Sequence, residues 1–239
     1  MLEPDMKAQL GSYLERLVVP VEINAHVDDS PASKDMLALL ADITSLTPKV
    51  SVREIREGSD RKPSFTLARA GEQPRVGFAG LPLGHEFTSL VLALLQTGGH
   101  PPKLDDATIE QIRSLEGDFA FETYISLTCQ NCPDVVQALN LLAVLNPRIR
   151  HTMIEGSAFE QEVAAKRILS VPAVFLNGEP FGQGRMEIEE ILAKLDRGAE
   201  KRQSAKMNAA EPYDMLIIGG GPAAASAAIY AARKGIRVG

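Results

Sequence analysis

The chain runs through the same order of predicted secondary-structure elements twice, and this duplication constrains its fold more than any other feature. In residues 19–95 and again in residues 121–195, alternating apolar and polar positions predict strands, and apolar positions three or four apart predict helices. Each copy is expected to run strand, helix, strand, strand, strand, helix, with a further short helix in the second copy. Identity between the copies is low, so the repeat is inferred from the element order and the prolines. The pattern predicts an α/β fold of two similar units.

The only two cysteines of the chain, Cys129 and Cys132, lie between a predicted strand and an apolar helical pattern. A CxxC in this setting is typical of a thioredoxin-type redox pair. The N-terminus of a helix favours negative charge, so we expect a lowered pKa for the Cys129 thiol. Cys132, one turn further on, is expected to resolve a mixed disulfide.

Two structural alternatives to a redox pair are weaker. Half of a zinc site is one, but zinc needs four ligands, and the sequence has no second CxxC and no close pair among its four histidines. Two inert buried thiols are the other, and the helix start beside the pair argues against them. No metal site is therefore expected.

Three further residues are candidates for the same site. Thr128 is expected to cap the helix that follows the pair. Pro172, after Val171, is a candidate cis-proline facing the pair, where its missing N–H leaves room for a partner chain; the alternative is an ordinary trans proline entering a strand. Glu86 begins the last helix of the first copy, and it is either a solvated helix start or a proton acceptor for the thiols in the cleft between the copies.

The repeat aligns the redox pair with residues of the first copy that cannot perform thiol chemistry. We therefore expect the first copy to be a scaffold or a binding face. The aligned positions are Glu22 with Glu122, Asp29 with Cys129, Ala32 with Cys132, and Lys62-Pro63 with Val171-Pro172.

A glycine-rich turn follows the second copy. Gly219 and Gly221, with Pro222 and Ala224, lie between an apolar strand pattern and a helix, which is the context of a dinucleotide-binding turn. The acidic residue expected about 20 residues later would fall beyond the last residue of the sequence, so we expect an incomplete fragment that binds no flavin on its own.

The sequence thus predicts four parts. They are a thioredoxin-like unit without CxxC at 1–101, a thioredoxin-like unit with CxxC at 102–196, a linker at 197–212, and a truncated Rossmann-type FAD-binding fragment at 213–239.

Composition excludes several classes of function. A net charge of −6 argues against a nucleic-acid surface. No stretch approaches the roughly 18 apolar residues that cross a bilayer, and the amino end lacks a signal-peptide pattern. Two cysteines so close together cannot staple a secreted fold, so a cycling dithiol in a reducing, cytoplasmic compartment is expected.

Taken together, these features closely resemble the flavoprotein family of the alkyl hydroperoxide reductases. The resemblance covers the whole chain and is most specific at Gly84–Val91, Asn131–Asn140 and Phe181–Met186. It implies an oxidoreductase in which NADH reduces FAD, FAD reduces a second CxxC in a flavoprotein body, and that pair reduces the disulfide of this part. The disulfide would then reduce a two-cysteine peroxiredoxin that destroys hydroperoxides.

The resemblance also implies roles for individual residues and partners. Cys129 would be the attacking thiol and Cys132 the resolving one, and the full-length protein would hold FAD and NADH and would be compatible with a homodimer. Gln130 stands where the family pattern has histidine. Most of the FAD domain, the NADH domain and the second CxxC lie outside this sequence.

Two other functions are compatible with the pair. One is a free-standing general thiol-disulfide oxidoreductase, like a glutaredoxin, and the other is a binding-only module. The glycine turn favours the electron-transfer module, because a free-standing enzyme has no use for it.

Overall fold

Eight strands form one continuous sheet in a computed structural model of the chain, which describes residues 2–196 and 214–238. The sheet order is β2-β1-β3-β4-β6-β5-β7-β8. The strands are β1 (Val21–His26), β2 (Val50–Ile55), β3 (Ser64–Arg69), β4 (Val76–Ala79), β5 (Phe119–Ile125), β6 (Ile149–Glu155), β7 (Ala173–Leu176) and β8 (Glu179–Gln183).

The two halves of this sheet have the same topology. In the first half β1 pairs with β2 in parallel and with β3 antiparallel, and β3 pairs antiparallel with β4. In the second half β5 pairs with β6 in parallel and with β7 antiparallel, and β7 pairs antiparallel with β8. The predicted α/β fold of tandem thioredoxin-like units is confirmed.

The copies are joined by a parallel pairing of β4 with β6. Val76 lies opposite His151, and Phe78 opposite Met153. Because β4, β5 and β6 are mutually parallel, their carboxyl ends lie at one edge of the sheet. Residues that follow Ala79 in the first copy are thereby brought next to residues that follow Ile125 in the second.

The helices begin and end close to where the sequence predicts them. At the start of α2, the Ser30 side chain accepts a hydrogen bond from the Ser33 N–H at 3.2 Å, and Pro31 occupies the first turn, where no N–H partner is needed. The helices are α1 (Pro4–Leu14), α2 (Pro31–Leu46), the 3-10 helix η1 (Gly84–Glu86), α3 (Phe87–Thr97), α4 (Asp106–Ser114), α5 (Cys132–Leu145), α6 (Glu160–Ala165), α7 (188–196) and α8 (Pro222–Arg233).

An ion-pair cluster ties a loop of the first copy to the second. The Arg61 guanidinium donates to Glu162 at 2.8–3.1 Å and to Glu122 at 2.7 Å. The Tyr124 hydroxyl donates to Glu162 at 2.9 Å, so the cluster also anchors β5. The partly buried, forked geometry makes this pairing more specific than an exposed ion pair, and it orients the two copies.

The chain divides into two compact units, Met1–Ile191 and Leu192–Gly239. In the second, the prediction of an extended strand at 213–218 is wrong for the residues described: pairing is limited to one bridge between Met215 and Val238. A strand with no neighbour beyond that bridge has too few ladder hydrogen bonds to persist.

The predicted limits between the parts of the chain, at 101/102, 196/197 and 212/213, stay predictions. No helix in the described ranges is long and apolar enough to cross a membrane.

A buried histidine links α5 to the centre of the second copy. His151 on β6 donates from Nδ1 to the Asn140 side-chain oxygen on α5 at 2.7 Å, and its Nε2 accepts from the Thr123 hydroxyl on β5 at 2.9 Å. This arrangement requires the neutral imidazole, and burial lowers its pKa to about 3.

We predict that His151 makes the chain less stable as pH falls from 7 to 5. The unfolded histidine gains a proton near its ordinary pKa of about 6.5 whereas the folded one stays neutral, so the free energy of unfolding should drop by about 2 kcal/mol from this residue. Urea unfolding of the wild type and His151→Gln at both pH values measures the free energy of unfolding. Subtracting the pH-dependent change of the variant from that of the wild type removes the contributions of other groups. Equal pH dependence in the two proteins would contradict the prediction, and His100→Gln is the control.

Candidate functional site

The two cysteines lie in the turn between β5 and α5. The Cys129 N–H donates to the Ser126 carbonyl at 2.9 Å and closes the turn, and Cys132 is the first residue of α5. The two sulfurs form a disulfide, with the Cα atoms 5.5 Å apart. Pro133 lies in the first helical turn, where its missing N–H needs no partner.

The two sulfurs differ in their access to solvent. Cys132 is fully buried, whereas Cys129 is partly exposed. The Cys129 Sγ atom lies 4.0 Å from the Val171 carbonyl oxygen, which places the Val171-Pro172 segment beside the pair. The Val171-Pro172 peptide bond is cis, as is Lys62-Pro63 at the equivalent place in the first copy. An incoming disulfide can reach Cys129 but not Cys132.

Two details of the predicted site are wrong. Thr128 does not cap α5: the N-cap is Asn131, without a side-chain hydrogen bond, and the Thr128 hydroxyl lies 3.1 Å from the Ser126 hydroxyl instead. Cys129 is not at the helix start, because the helix begins three residues later at Cys132. The residues Cys129 to Asn131 continue the turn that follows β5, and a chain reversal is needed there before the first helical hydrogen bond forms.

Glu86 is fully buried, so the expectation of a solvated helix start is wrong. It ends η1, immediately before α3, and neither of its carboxyl oxygens has a hydrogen-bond partner among the described residues. Burial raises the pKa of this carboxyl to about 7. The neighbouring residue His85 donates its backbone N–H to the Leu127 carbonyl at 3.4 Å, so Glu86 lies beside the chain that leads into the pair.

The equivalent place in the first copy is occupied by a network of polar side chains. Asp29, opposite Cys129 in the repeat, forms an ion pair with Arg56 at 2.7 Å. Asp28 accepts from the Ser30 N–H and the Ser33 hydroxyl, and hydrogen bonding by Ser30, chiefly by its side chain, and by Ser33 lowers the pKa of Asp28 to about 2. With no thiol in this network, exchange chemistry belongs to the second copy.

The glycine turn has the local geometry with which a dinucleotide site begins, but the described residues do not enclose it. Gly221 is the N-cap of α8, Pro222 is its first residue, and Ala224 lies in its first turn; Gly219 has φ of +129°. A Cβ on Gly219 or Gly221 would meet no atom within 4 Å. Apolar side chains around the turn are exposed, Ile218 by 92%, so the described residues do not form the enclosed cradle that a flavin needs.

Comparison with known proteins gives the family. A family model described as a thioredoxin domain matches residues 120–197. The alkyl hydroperoxide reductase protein AhpF of Pseudomonas aeruginosa is 60% identical over 240 residues, which is 100% of this chain and 46% of that protein. The solved structure of AhpF from Enterococcus faecalis is 30% identical, covers 81% of this chain and 99% of its own, and has a TM-score of 0.76.

The chain belongs to the AhpF family of alkyl hydroperoxide reductase proteins. It spans less than half the length of the curated Pseudomonas relative. A protein disulfide oxidoreductase from Aeropyrum pernix has a similar structure, with a TM-score of 0.73 and 25% identity over 84% of this chain and 95% of its own. The fold of the AhpF family is therefore shared with a protein named for disulfide chemistry.

Several residues around the site of this AhpF family member were not found from the sequence. Thr123, Asn140 and His151 lie far apart in the chain and carry no shared motif, so only the register of β5 and β6 brings them together. Arg61 lies in a charged stretch, residues 54–61, that carries no motif. Within residues 2–196 and 214–238, no cluster of three or more histidine, cysteine or acidic residues could hold a metal ion.

Proposed function

We propose that this chain is the thiol-disulfide electron-transfer module of an NADH- and FAD-dependent peroxiredoxin reductase. It would carry electrons from a flavoprotein body to a two-cysteine peroxiredoxin, which reduces hydroperoxides. The observation that carries the proposal is the disulfide between partly exposed Cys129 and buried Cys132 at the head of α5, in a chain of the AhpF family.

The difference in exposure gives the order of the exchange steps. In the reduced module, the Cys129 thiolate attacks one sulfur of the peroxiredoxin disulfide, and the other sulfur leaves as a thiolate. Cys132 then loses its proton and attacks the Cys129 sulfur, which breaks the mixed disulfide and releases the peroxiredoxin as a dithiol. Two electrons have moved, and the Cys129–Cys132 disulfide remains for reduction by a dithiol of the flavoprotein body.

We assign Glu86 as the proton acceptor for the buried thiol. Its carboxyl is buried, has no hydrogen-bond partner among the described residues, and has a pKa of about 7. A group with that pKa is half ionised near neutral pH and both accepts and returns protons efficiently. Pro172, beside Cys129, would leave a face where the partner chain lies against the disulfide, because proline has no N–H to compete for it.

FAD and NADH would be held by the part of the full-length protein outside this chain. Gly219, Gly221, Pro222 and Ala224 would contribute the turn at the pyrophosphate when that domain is complete, since backbone N–H groups at a helix N-terminus favour phosphate. The flavin supplies two-electron transfer from NADH to a dithiol. The chain alone is not expected to bind flavin.

A cytoplasmic location fits a dithiol that must be reduced repeatedly. A homodimer of the full-length protein is compatible with the family.

A free-standing general oxidoreductase is the second candidate, and the likeness to the Aeropyrum protein disulfide oxidoreductase is the observation in its favour. The much higher identity to Pseudomonas AhpF over the whole chain, including residues 213–239, favours the electron-transfer module.

We predict that the reduced chain prefers a peroxiredoxin as its electron acceptor. Mixed without oxygen with an oxidised two-cysteine peroxiredoxin, it is expected to form the peroxiredoxin dithiol faster than it reduces the disulfides of insulin. Thiol quantification at timed intervals measures both. Cys132→Ser should trap a mixed disulfide with the peroxiredoxin, because the resolving thiol is absent, while Cys129→Ser should trap none. Preference for insulin would favour the general oxidoreductase, and absence of a trapped species in Cys132→Ser would leave only a binding role.

We also predict that Glu86 controls the ionisation of the thiols. In Glu86→Gln the neighbouring negative charge is lost, so the apparent thiol pKa of the reduced pair should fall by about one pH unit. Resolution of a mixed disulfide at neutral pH should become slower because the acceptor is gone. Ultraviolet absorbance of the thiolate against pH measures the pKa. Glu110→Gln, an exposed carboxylate on α4, is the control with the same change in net charge. An unchanged thiol pKa in Glu86→Gln removes the assigned role.

A further inference from the structure

The first copy contacts the turn that precedes α5 in the second copy through a glycine. This turn, residues 126–131, is called the reactive turn. A Cβ placed on Gly84 would lie 2.9 Å from the Leu127 carbonyl oxygen, closer than real Cβ atoms come, and Gly84 has φ of +57°. His85, the next residue, donates its backbone N–H to the same oxygen at 3.4 Å. Leu127 precedes Cys129 by two residues, so this contact falls on the peptide group that leads into the redox pair.

A second glycine holds the other end of the same segment. Gly80 has φ of +90°, and a Cβ there would lie 2.7 Å from the Cβ of Glu155, at the end of β6. The Gly80 N–H donates to the Pro63 carbonyl at 2.9 Å, which fixes it to the first copy. The segment from residue 80 to residue 86 therefore lies closely against the carboxyl ends of β5 and β6.

The reactive turn itself is held mainly by short-range contacts. Within the turn, hydrogen bonds run from the Cys129 N–H to the Ser126 carbonyl at 2.9 Å, from the Thr128 N–H to the Ser126 hydroxyl at 3.4 Å, and between the Ser126 and Thr128 hydroxyls at 3.1 Å. These bonds fix the shape of the turn but not its position on the protein. The hydrogen bond that the Leu127 carbonyl accepts from the first copy acts on position, together with the contact of Cys129 Sγ with the Val171 carbonyl oxygen.

We propose that Gly84 is a positioning residue for thiol-disulfide exchange. Its missing side chain lets the backbone of the first copy approach the Leu127 carbonyl and hold the turn so that Cys129 Sγ stays accessible beside Val171. The copy without thiols thus takes part in the reaction through its backbone. The inference rests on the proposed function only in taking Cys129 as the attacking thiol.

The test compares two glycines that both have a positive φ. Gly84→Ala adds a methyl group against the Leu127 carbonyl, whereas Gly71→Ala adds one at φ of +80° with nothing within 4 Å. The full chain is reduced and mixed with hydroxyethyl disulfide, a small substrate that needs no docking surface. We expect the exchange rate of Gly84→Ala to fall about tenfold, as for a reacting atom displaced by a fraction of an ångström. Gly71→Ala should stay within about twofold of the wild type.

A second readout separates positioning from loss of stability. The pH profile of the exchange rate should shift its midpoint in Gly84→Ala, because the backbone groups around the Cys129 thiol move, and should keep it in Gly71→Ala. An unchanged rate in Gly84→Ala, or equal losses in both variants, overturns the proposal. Failure of the proposed function would look different: the wild type would react normally with hydroxyethyl disulfide but not with the peroxiredoxin.

If Gly84→Ala does not fold, hydrogen exchange of the unsubstituted chain decides. The His85 amide should exchange much more slowly than a free peptide amide, because the Leu127 carbonyl accepts its proton. Exchange at the rate of a free amide overturns the proposal.

Discussion

The parallel pairing of β4 with β6 is the interaction on which the rest of the structure depends. It fuses the two copies into one sheet and aligns the carboxyl ends of β4, β5 and β6 in a row, with Ala79 and Tyr124 both opposite Ile154. These residues belong to one buried cluster with Ala173 and Phe175. Burial of this cluster contributes more to the stability of the joined sheet than the hydrogen bonds between β4 and β6 do, because each hydrogen bond contributes only about 1 kcal/mol net. Without this pairing, the segment after β4 would have no reason to lie against the reactive turn.

The two copies have the same topology but different roles. The second copy holds the thiols at the head of α5, and the first holds Asp29 and Arg56 at the equivalent place. The first copy nevertheless contributes Gly84, His85 and Glu86 to the surroundings of the pair and Arg61 to the cluster that orients the copies. Exchange chemistry needs one reactive sulfur pair, and the surrounding shell can come from either copy.

The order of elements, the repeat and the redox pair could be predicted from the sequence, because each depends on local patterns. Apolar periodicity indicates α2 and α5, and a proline lies in the first turn of each helix. Glu86, at a helix start, and Pro172, in a turn before a strand, are candidates near the pair on local grounds as well. What could not be predicted depends on the packing of distant segments. The contact of Gly84 with Leu127 arises from the β4–β6 register, which no local pattern encodes. The N-cap of α5 differs from the predicted one because the turn after β5 continues further than a CxxC pattern specifies. Of the strand predicted at 213–218, the described residues 214–218 form a single bridge, since a strand pattern alone does not supply its neighbours.

If the Cys129–Cys132 pair is a reductant that passes electrons onward, its reduction potential must be low. The most direct measurement is a redox titration of this pair in the full chain, equilibrated against dithiol buffers and read from the fraction of alkylated thiols. We expect a potential near the thioredoxin range of about −270 mV, where the dithiol gives up its electrons readily. A potential near about −120 mV, typical of a strong oxidant, would contradict the role of reductant.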